Sequence, residues 1–215
     1  MRKLSTGLLV LLIIMTTGIL SPVSAAAAEK SLIISYDHRK NMGNTKKLSI
    51  DALSSATVYS GPTGEKKSTE QVIRDTIKSE TKSKVFEIRV KKAYSTDYEK
   101  TVQRADEEID RNKNIKLKTA RIPGLKKYKK IYLVTPIWHG DLPQPVRVLL
   151  RNNDFSGKTI VLFGVNLGSG FGSMVRSIRE ECPGAAVVKA RAFYGDAKNN
   201  AVKKKVRNWI RKNRK

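Results

Sequence analysis

Two uninterrupted apolar runs, Ile131–Thr135 (IYLVT) and Thr159–Val165 (TIVLFGV), constrain the fold more than any other feature of this chain. Both are of strand length, and neither alternates with polar residues, so each strand must be covered on both faces. Such strands belong in a sheet layered between helices. Three further segments fit beside them: Ser31–Tyr36 (SLIISY), Val85–Val90 (VFEIRV) with its period of two, and the weaker Ala186–Phe193 (AVVKARAF). Helix patterns separate the five. Ser68 or Thr69 can cap a helix carrying Val72, Ile73, Thr76 and Ile77. Asp97–Asn112 is mostly polar with Val102, Ala105 and Ile109 on one face. Pro143–Arg151 has a proline near its start, Ser173–Glu181 follows the fourth strand, and Asn199–Lys212 follows the fifth. This alternation predicts an α/β chain: a doubly wound five-stranded parallel sheet with right-handed crossovers and helices on both faces.

The amino terminus reads as an address. Arg2 and Lys3 precede the apolar run Leu8–Met15, Ser21-Pro22 breaks the helix, and Val23-Ser24-Ala25 offers a small-residue cleavage site. That order predicts a secretory signal peptide over 1–25 and a secreted or cell-surface location for the remaining domain, 26–215. The 215 residues allow one domain of ordinary size. A single cysteine, Cys182, excludes an internal disulfide and a cysteine-built metal site. Its neighbours Glu180 and Glu181 oppose a thiolate, so a buried inert thiol is expected. The formal charge of +24 predicts attraction to polyanions.

In an open parallel sheet, ligands bind beyond the carboxyl ends of the strands, where the strand order reverses. Three loops are therefore candidates. The first begins Tyr36-Asp37-His38-Arg39-Lys40 and runs into a long insert at about 41–66. The second, Thr135-Pro136-Ile137-Trp138-His139-Gly140-Asp141, carries a tryptophan where loops are normally small and polar. The third runs from Gly164 through Asn166, Gly168, Ser169 and Gly170 to Gly172. Its glycines let backbone N–H groups approach a flat or anionic ligand.

Thr135–Gly140, Phe155–Thr159 and Gly168–Gly172 carry a resemblance to the flavodoxin-like family, in the branch whose loops read close to T-P-I-W-W-G and G-G-S-G-F-G. Asp51–Ala56 is similar to an insert of some members, and Tyr94–Tyr98 resembles the family's Y-P-x-D-Y. The resemblance spans nearly all of residues 31–212. It implies strand order 2-1-3-4-5, FMN as cofactor, and one- or two-electron transfer. Carried onto this sequence, it implies FMN contacts from Pro136, Ile137, Trp138, His139 and Gly140, and from Asn166, Gly168, Ser169 and Gly170. Trp138 is the expected stacking ring, and His139 stands where a second aromatic is more usual.

Two segments compete for the phosphate loop. Gly43-Asn44-Thr45-Lys46 reads like the family's G-N-T-K, yet it lies too far before Val85 for one helix and a turn. Lys67-Ser68-Thr69 lies one helix upstream of that strand and is preferred, with 41–66 as the insert. Hydroxyls and free N–H groups at a helix start make a phosphate seat. His38, Arg39 and Lys67 are expected to add positive charge there. The final helix carries Lys203, Lys204, Lys205, Arg207, Arg211 and Lys212, a face suited to an anionic lipid or cell-wall polymer. The leader, the α/β pattern and the missing RNA-binding aromatic motif argue against nucleic acid. Two functions stay open: an exported FMN protein in electron transfer or quinone or flavin reduction, and a flavin-free module binding anionic surface polymers. Its redox partner or small-molecule acceptor is not named by the sequence.

Overall fold

The computed structural model describes residues 30–43, 67–195 and 197–213. The expected leader at 1–25, the greater part of the expected insert, the Asp51–Ala56 segment and the alternative phosphate loop at 44–46 lie outside them. Five strands, β1 (Ser31–Ser35), β2 (Lys84–Glu87), β3 (Lys130–Pro136), β4 (Thr159–Asn166) and β5 (Ala186–Tyr194), pair in parallel in the order β2-β1-β3-β4-β5. Five helices accompany them: α1 (Thr69–Thr81), α2 (Tyr98–Asp110), α3 (Gln144–Arg151), α4 (Met174–Glu181) and α5 (Asn199–Lys212). This is the expected doubly wound sheet.

Alternation along the strands divides the core in two. Leu32, Ile34, Ile131, Leu133, Ile160 and Leu162 point to one face, with Val146, Leu149 and Ile178 of α3 and α4. Ile33, Val134, Val161, Phe163 and Val165 point to the other, with Val72, Ile73 and Ile77 of α1 and Val202, Val206 and Ile210 of α5. Because successive side chains take opposite faces, an apolar run without alternation fills both cores at once. β2 is shorter than its apolar pattern, ending at Glu87 rather than Val90. There the chain leaves β1, and Val90 forms an antiparallel bridge with Leu117 instead. β3 and β4 each run further toward the carboxyl edge than expected, to Pro136 and Asn166. That extension carries the strand pairing up to the loops where β1 gives way to β3.

Candidate functional site

The loop after β1 is folded by two short polar side chains. Asp37 caps a 3₁₀ turn at His38–Asn41 by accepting from the Arg39 amide at 3.1 Å, and its second oxygen accepts from Gln71 Nε2 at 2.6 Å. The loop is thereby tied to the first turn of α1. Asn41 Nδ2 donates to the carbonyls of Asp37 and Ile88 at 2.8 and 3.0 Å, and its oxygen accepts from the Val90 amide at 2.8 Å.

After β3 the chain turns back on itself. Trp138 and Asp141 exchange backbone hydrogen bonds of 2.9 and 2.8 Å, leaving His139 (φ +48°) and Gly140 (φ +73°) at the tip. Left-handed backbone at both central residues is the signature of a type I′ turn. Asp141 anchors it: its carboxylate accepts from Arg147 Nη2 at 2.6 Å and from Ser177 Oγ at 2.8 Å. The loop after β4 is gathered by Asn166, whose oxygen accepts from the amides of Gly168 (2.7 Å) and Gly170 (3.2 Å). Its nitrogen donates to the Phe193 carbonyl at 2.9 Å.

The loops are joined to one another. Ser173 N donates to the Gly140 carbonyl at 2.8 Å. Gly172, at φ +46°, passes so close that an added Cβ would lie 1.9 Å from that same oxygen. Thr69 Oγ1 donates to the Gly195 carbonyl at 2.9 Å, and Gly195 N donates to the Asn166 carbonyl at 3.0 Å. The start of α1, the end of β5 and the two loops after β3 and β4 thus form one continuous wall.

Beneath that wall four rings pack together. Trp138 meets Tyr36, His38 and Tyr94 edge to face, with centroids 5.8, 4.9 and 5.4 Å away. All four residues are buried. The Tyr94 hydroxyl donates to Glu108, which is paired with Arg104 at 2.7 Å, and the Arg104 guanidinium lies 3.9 Å from the Tyr94 ring centre. Burial, reinforced by the Arg104 charge, lowers the pKa of His38 to about 3. Burial also holds the Tyr36 and Tyr94 hydroxyls well above their ordinary range.

This geometry corrects several expectations. Trp138 is 5% exposed and enclosed by three rings, so its face is not offered to a ligand; the exposed ring on this loop is His139, 44% exposed and 3.2 Å from Asp106. His38 is buried and neutral, and supplies no positive charge. Lys67 is turned along α1 to Asp75, 2.7 Å away, and so leaves the helix start. Ser68 and Thr69 do open α1, but both are buried and their hydroxyls are engaged. Ser68 Oγ caps the Gln71 amide at 3.2 Å, and Thr69 bonds Gly195. Pro136, Ile137 and Asn166 are buried and act through the backbone and the loop they shape. Gly168 and Ser169 are exposed, Gly140, Gly170 and Arg39 are half-buried, and Arg39 has no ion-pair partner among the described residues, its Nη1 being buried without a hydrogen bond. Leu167 (48% exposed), within the third candidate loop, and Tyr194 (55%) flank the glycines, the Tyr194 hydroxyl standing 3.1 Å from where a Gly168 Cβ would be. β5 ends one residue later than its pattern predicts, and no sequence signal marked Tyr194 as part of this edge. Cys182 matches expectation: burial first, and the Glu181 charge second, push its thiol to about 12.

Comparison with known proteins places this architecture. A family model described as Flavodoxin matches residues 59–213. The chain is similar in fold to a Bacteroides uniformis protein assigned as a flavoprotein (TM-score 0.60, 19% identity, covering 86% of this chain and 99% of the other). It is also similar to a flavoprotein from Lactobacillus acidophilus solved in complex with FMN (TM-score 0.51, 21% identity, covering 79% and 95%). No curated protein matches the chain by sequence.

Two outcomes follow from the wall and the rings. Because the folded protein keeps His38 neutral while the unfolded chain protonates it near 6.5, stability is complete above that value and falls as pH drops toward 3. The urea midpoint should therefore decline between pH 6.5 and 5, above the range where Asp75 and Glu87 begin to contribute, and His38→Phe should flatten that decline. An unchanged slope in the variant would contradict it. Gly170→Ala, with open space around it, should cost only the left-handed strain of about 1–2 kcal/mol. Gly172→Ala should cost clearly more because the Gly140 carbonyl must move; equal losses in thermal unfolding would refute the contact between the loops.

Proposed function

The chain belongs to the flavodoxin family, and on that premise we propose that it is an exported FMN protein that transfers electrons or reduces a small acceptor such as a quinone or free flavin. The observation that carries this reading is the wall at the carboxyl edge, built from the start of α1, the end of β5 and the loops after β3 and β4, with glycine backbone reachable at Gly140 and Gly168–Gly170. Glycine there lets the backbone itself pack against a flat heterocycle without a side chain intervening, while the Gly168 and Gly170 amides are held by Asn166.

FMN would be held at two ends. A 13-residue helix starts at Thr69, and its positive end favours a phosphate. Arg39, on the adjoining loop, would add a cation. The ring would meet His139, Gly140, the Gly168–Gly170 backbone and Tyr194. Bound FMN supplies reversible one- and two-electron chemistry, and the protein's part is binding, orientation and electrostatics. The type I′ turn holds His139 outward at the tip, and Asp141, fixed by Arg147 and Ser177, keeps that turn from rotating. Asn166 presents the glycine loop in one shape. Exposed Leu167 and Tyr194 would shield one edge of the ring from water. Fold similarity to the FMN-containing Lactobacillus protein supports the reading. Export rests on the 1–25 leader and remains part of the proposal.

The competing reading, a flavin-free module, draws on the phosphate end, where the Ser68 and Thr69 hydroxyls are engaged and Lys67 pairs with Asp75. Titration of the purified mature protein with FMN and with riboflavin separates the two. FMN should bind with a shifted visible spectrum and more tightly than riboflavin, and Arg39→Gln should narrow that preference. His139→Ala should weaken FMN about 2- to 12-fold, the equivalent of one lost ring contact of about 0.5–1.5 kcal/mol. Trp138→Phe should leave the spectrum of the bound flavin unaltered. No spectral change on adding FMN to the unmodified protein would favour the flavin-free module.

A further inference from the structure

The opposite edge of the sheet has a different chemistry. All five strands run in parallel, so their starts share one edge, and a lysine precedes or opens each of the first four: Lys30 before β1, Lys84 opening β2, Lys129 and Lys130 at β3, and Lys158 before β4. Neighbouring strands lie about 4.8 Å apart, so this row extends roughly 15 Å. The register offsets two of them by one residue, with Lys84 opposite Leu32 and Lys130 opposite Ser31, so these two side chains leave the shared edge on opposite faces of the sheet. Lys82, at the carboxyl end of α1, and Lys127, in a 3₁₀ turn at Leu125–Lys127, close over the row. Lys30, Lys82, Lys84 and Lys127 line a cavity of about 450 Å³ with Tyr128 and the Ser31–Ser83–Thr81 hydroxyls, and no carboxylate lines it among the described residues.

Lysine at a helix carboxyl end is ordinary, since it answers the helix dipole, and Lys82 alone would mean no more than that. The strand starts have no such reason to be cationic. Nor are these charges neutralised within the fold: Lys30, Lys82, Lys84, Lys127, Lys129 and Lys130 have no ion-pair partner among the described residues. Glu80, close by in sequence, is already held by Arg207 at 2.8 Å and Arg211 at 3.3 Å. Asp154 lies near Lys126 and Lys158 and offsets only that end of the row. Lys158 is buried and donates to the Tyr128 carbonyl at 2.8 Å, fixing the floor.

The form of the site selects its ligand. Thr81 Oγ1 donates to the Ile77 carbonyl, so the Ser83 hydroxyl must donate to Thr81 and the Ser31 hydroxyl to Ser83. These hydroxyls are spent on each other and leave no directed donor for a small anion. Lysine offers a point charge on a flexible stem, without the planar fork with which arginine fixes a single phosphate. Recognition by charge density suits a chain of repeating charges better than one compact ion. Among the described residues, the exposed large apolar side chains Leu167, Val188 and Tyr194 lie on β5 or at the other edge, and none of them lines this cavity to insert into a bilayer. We propose that the amino edge of the sheet is a binding site for a linear polymer of phosphate charges, which lies along the lysine row on the side of the protein opposite the FMN site.

The experiment uses the mature protein loaded with FMN where it binds it. Fluorescence anisotropy is read with a labelled linear polyphosphate of roughly fifty units and with a labelled poly(glycerol phosphate) chain. Free inorganic phosphate at equal total phosphate serves as competitor. Lys82, Lys84 and Lys127 are all exposed, so the triple change to Gln leaves the core alone. It should weaken the better polymer at least about tenfold and lower the slope of log affinity against log salt by about 2. The two polymers distinguish the source of the phosphate chain. A second triple, Lys203, Lys204 and Lys205 to Gln on exposed positions of α5, removes the same charge elsewhere and should have a much smaller effect. Equal losses in the two triples would overturn the site in favour of net charge alone. Full competition by free phosphate would overturn the polymer, and binding to anionic phospholipid vesicles without binding to either polymer would replace it with a membrane. Flavin absorbance should be the same in the unmodified protein and both triples, so a failure of this site stays distinct from a failure of FMN binding.

Discussion

Tyr36, His38, Tyr94 and Trp138 pack edge to face beneath the carboxyl edge of the sheet, and the loops around the candidate site take their positions from that contact. Each ring pair of this kind contributes about 0.5–1.5 kcal/mol beyond the area it buries. The rings come from three separate segments: the end of β1, the approach to α2 and the loop after β3. Their packing therefore fixes those segments relative to one another. It also constrains the charges below. Glu108 is buried under Tyr94 and is tolerable only because Arg104 pairs with it and the Tyr94 hydroxyl donates to it. Removing one member of such a buried pair costs about 3–5 kcal/mol, because the other charge is left alone. Arg104 also donates to the Ala93 and Lys92 carbonyls, so the same side chain pins the loop that delivers Tyr94. With Trp138 committed to this cluster, the tip of its loop passes to His139 and Gly140.

Much of the fold was legible because its signal is local. Apolar runs at Ile131–Thr135 and Thr159–Val165 fill two cores at once, and no other secondary structure would bury them as well. Asp97 and Ser68 were readable as helix starts, and both cap by accepting from an amide three residues on. The site was legible only in part. The glycines at 140, 168 and 170 stand out in the sequence because glycine marks a backbone requirement that does not depend on distant partners. The burial of Trp138 is not legible locally, because burial is a property of what packs against a residue, and its three ring partners lie up to about a hundred positions away in sequence. The neutrality of His38 is hidden for the same reason: nothing local discloses that Tyr36, Tyr94 and Trp138 pack around it. Lys67 was misplaced because Asp75, two helical turns on, competes for it. Asp141 and Tyr194 lay within view and carried no pattern that distinguished them.

The two edges of the sheet divide the chemistry. Parallel strands send every loop of one kind to the carboxyl edge, where glycine, Asn166 and the ring cluster build a shaped wall. The same rule sends every strand start to the amino edge, where a lysine at each of four strands makes a row of charge. One edge relies on backbone shape and short-range hydrogen bonds, which salt scarcely screens. The other relies on exposed cations, whose reach is about 10 Å at moderate salt and shrinks as salt rises. A flavin at the first edge and a polyanion at the second would therefore respond differently to ionic strength. The carboxyl-edge hydrogen bonds and the lysine row do not share residues, so each can be altered alone.

On the proposed function, the ring of bound flavin lies against His139 while Trp138 stays in the cluster below. Nuclear Overhauser contacts in the FMN-loaded protein measure this directly. Contacts are expected between flavin ring protons and the imidazole protons of His139, while the Trp138 indole protons keep their contacts to Tyr36 and Tyr94. Contacts from the flavin to the Trp138 indole, with loss of those to Tyr36 or Tyr94, would contradict it.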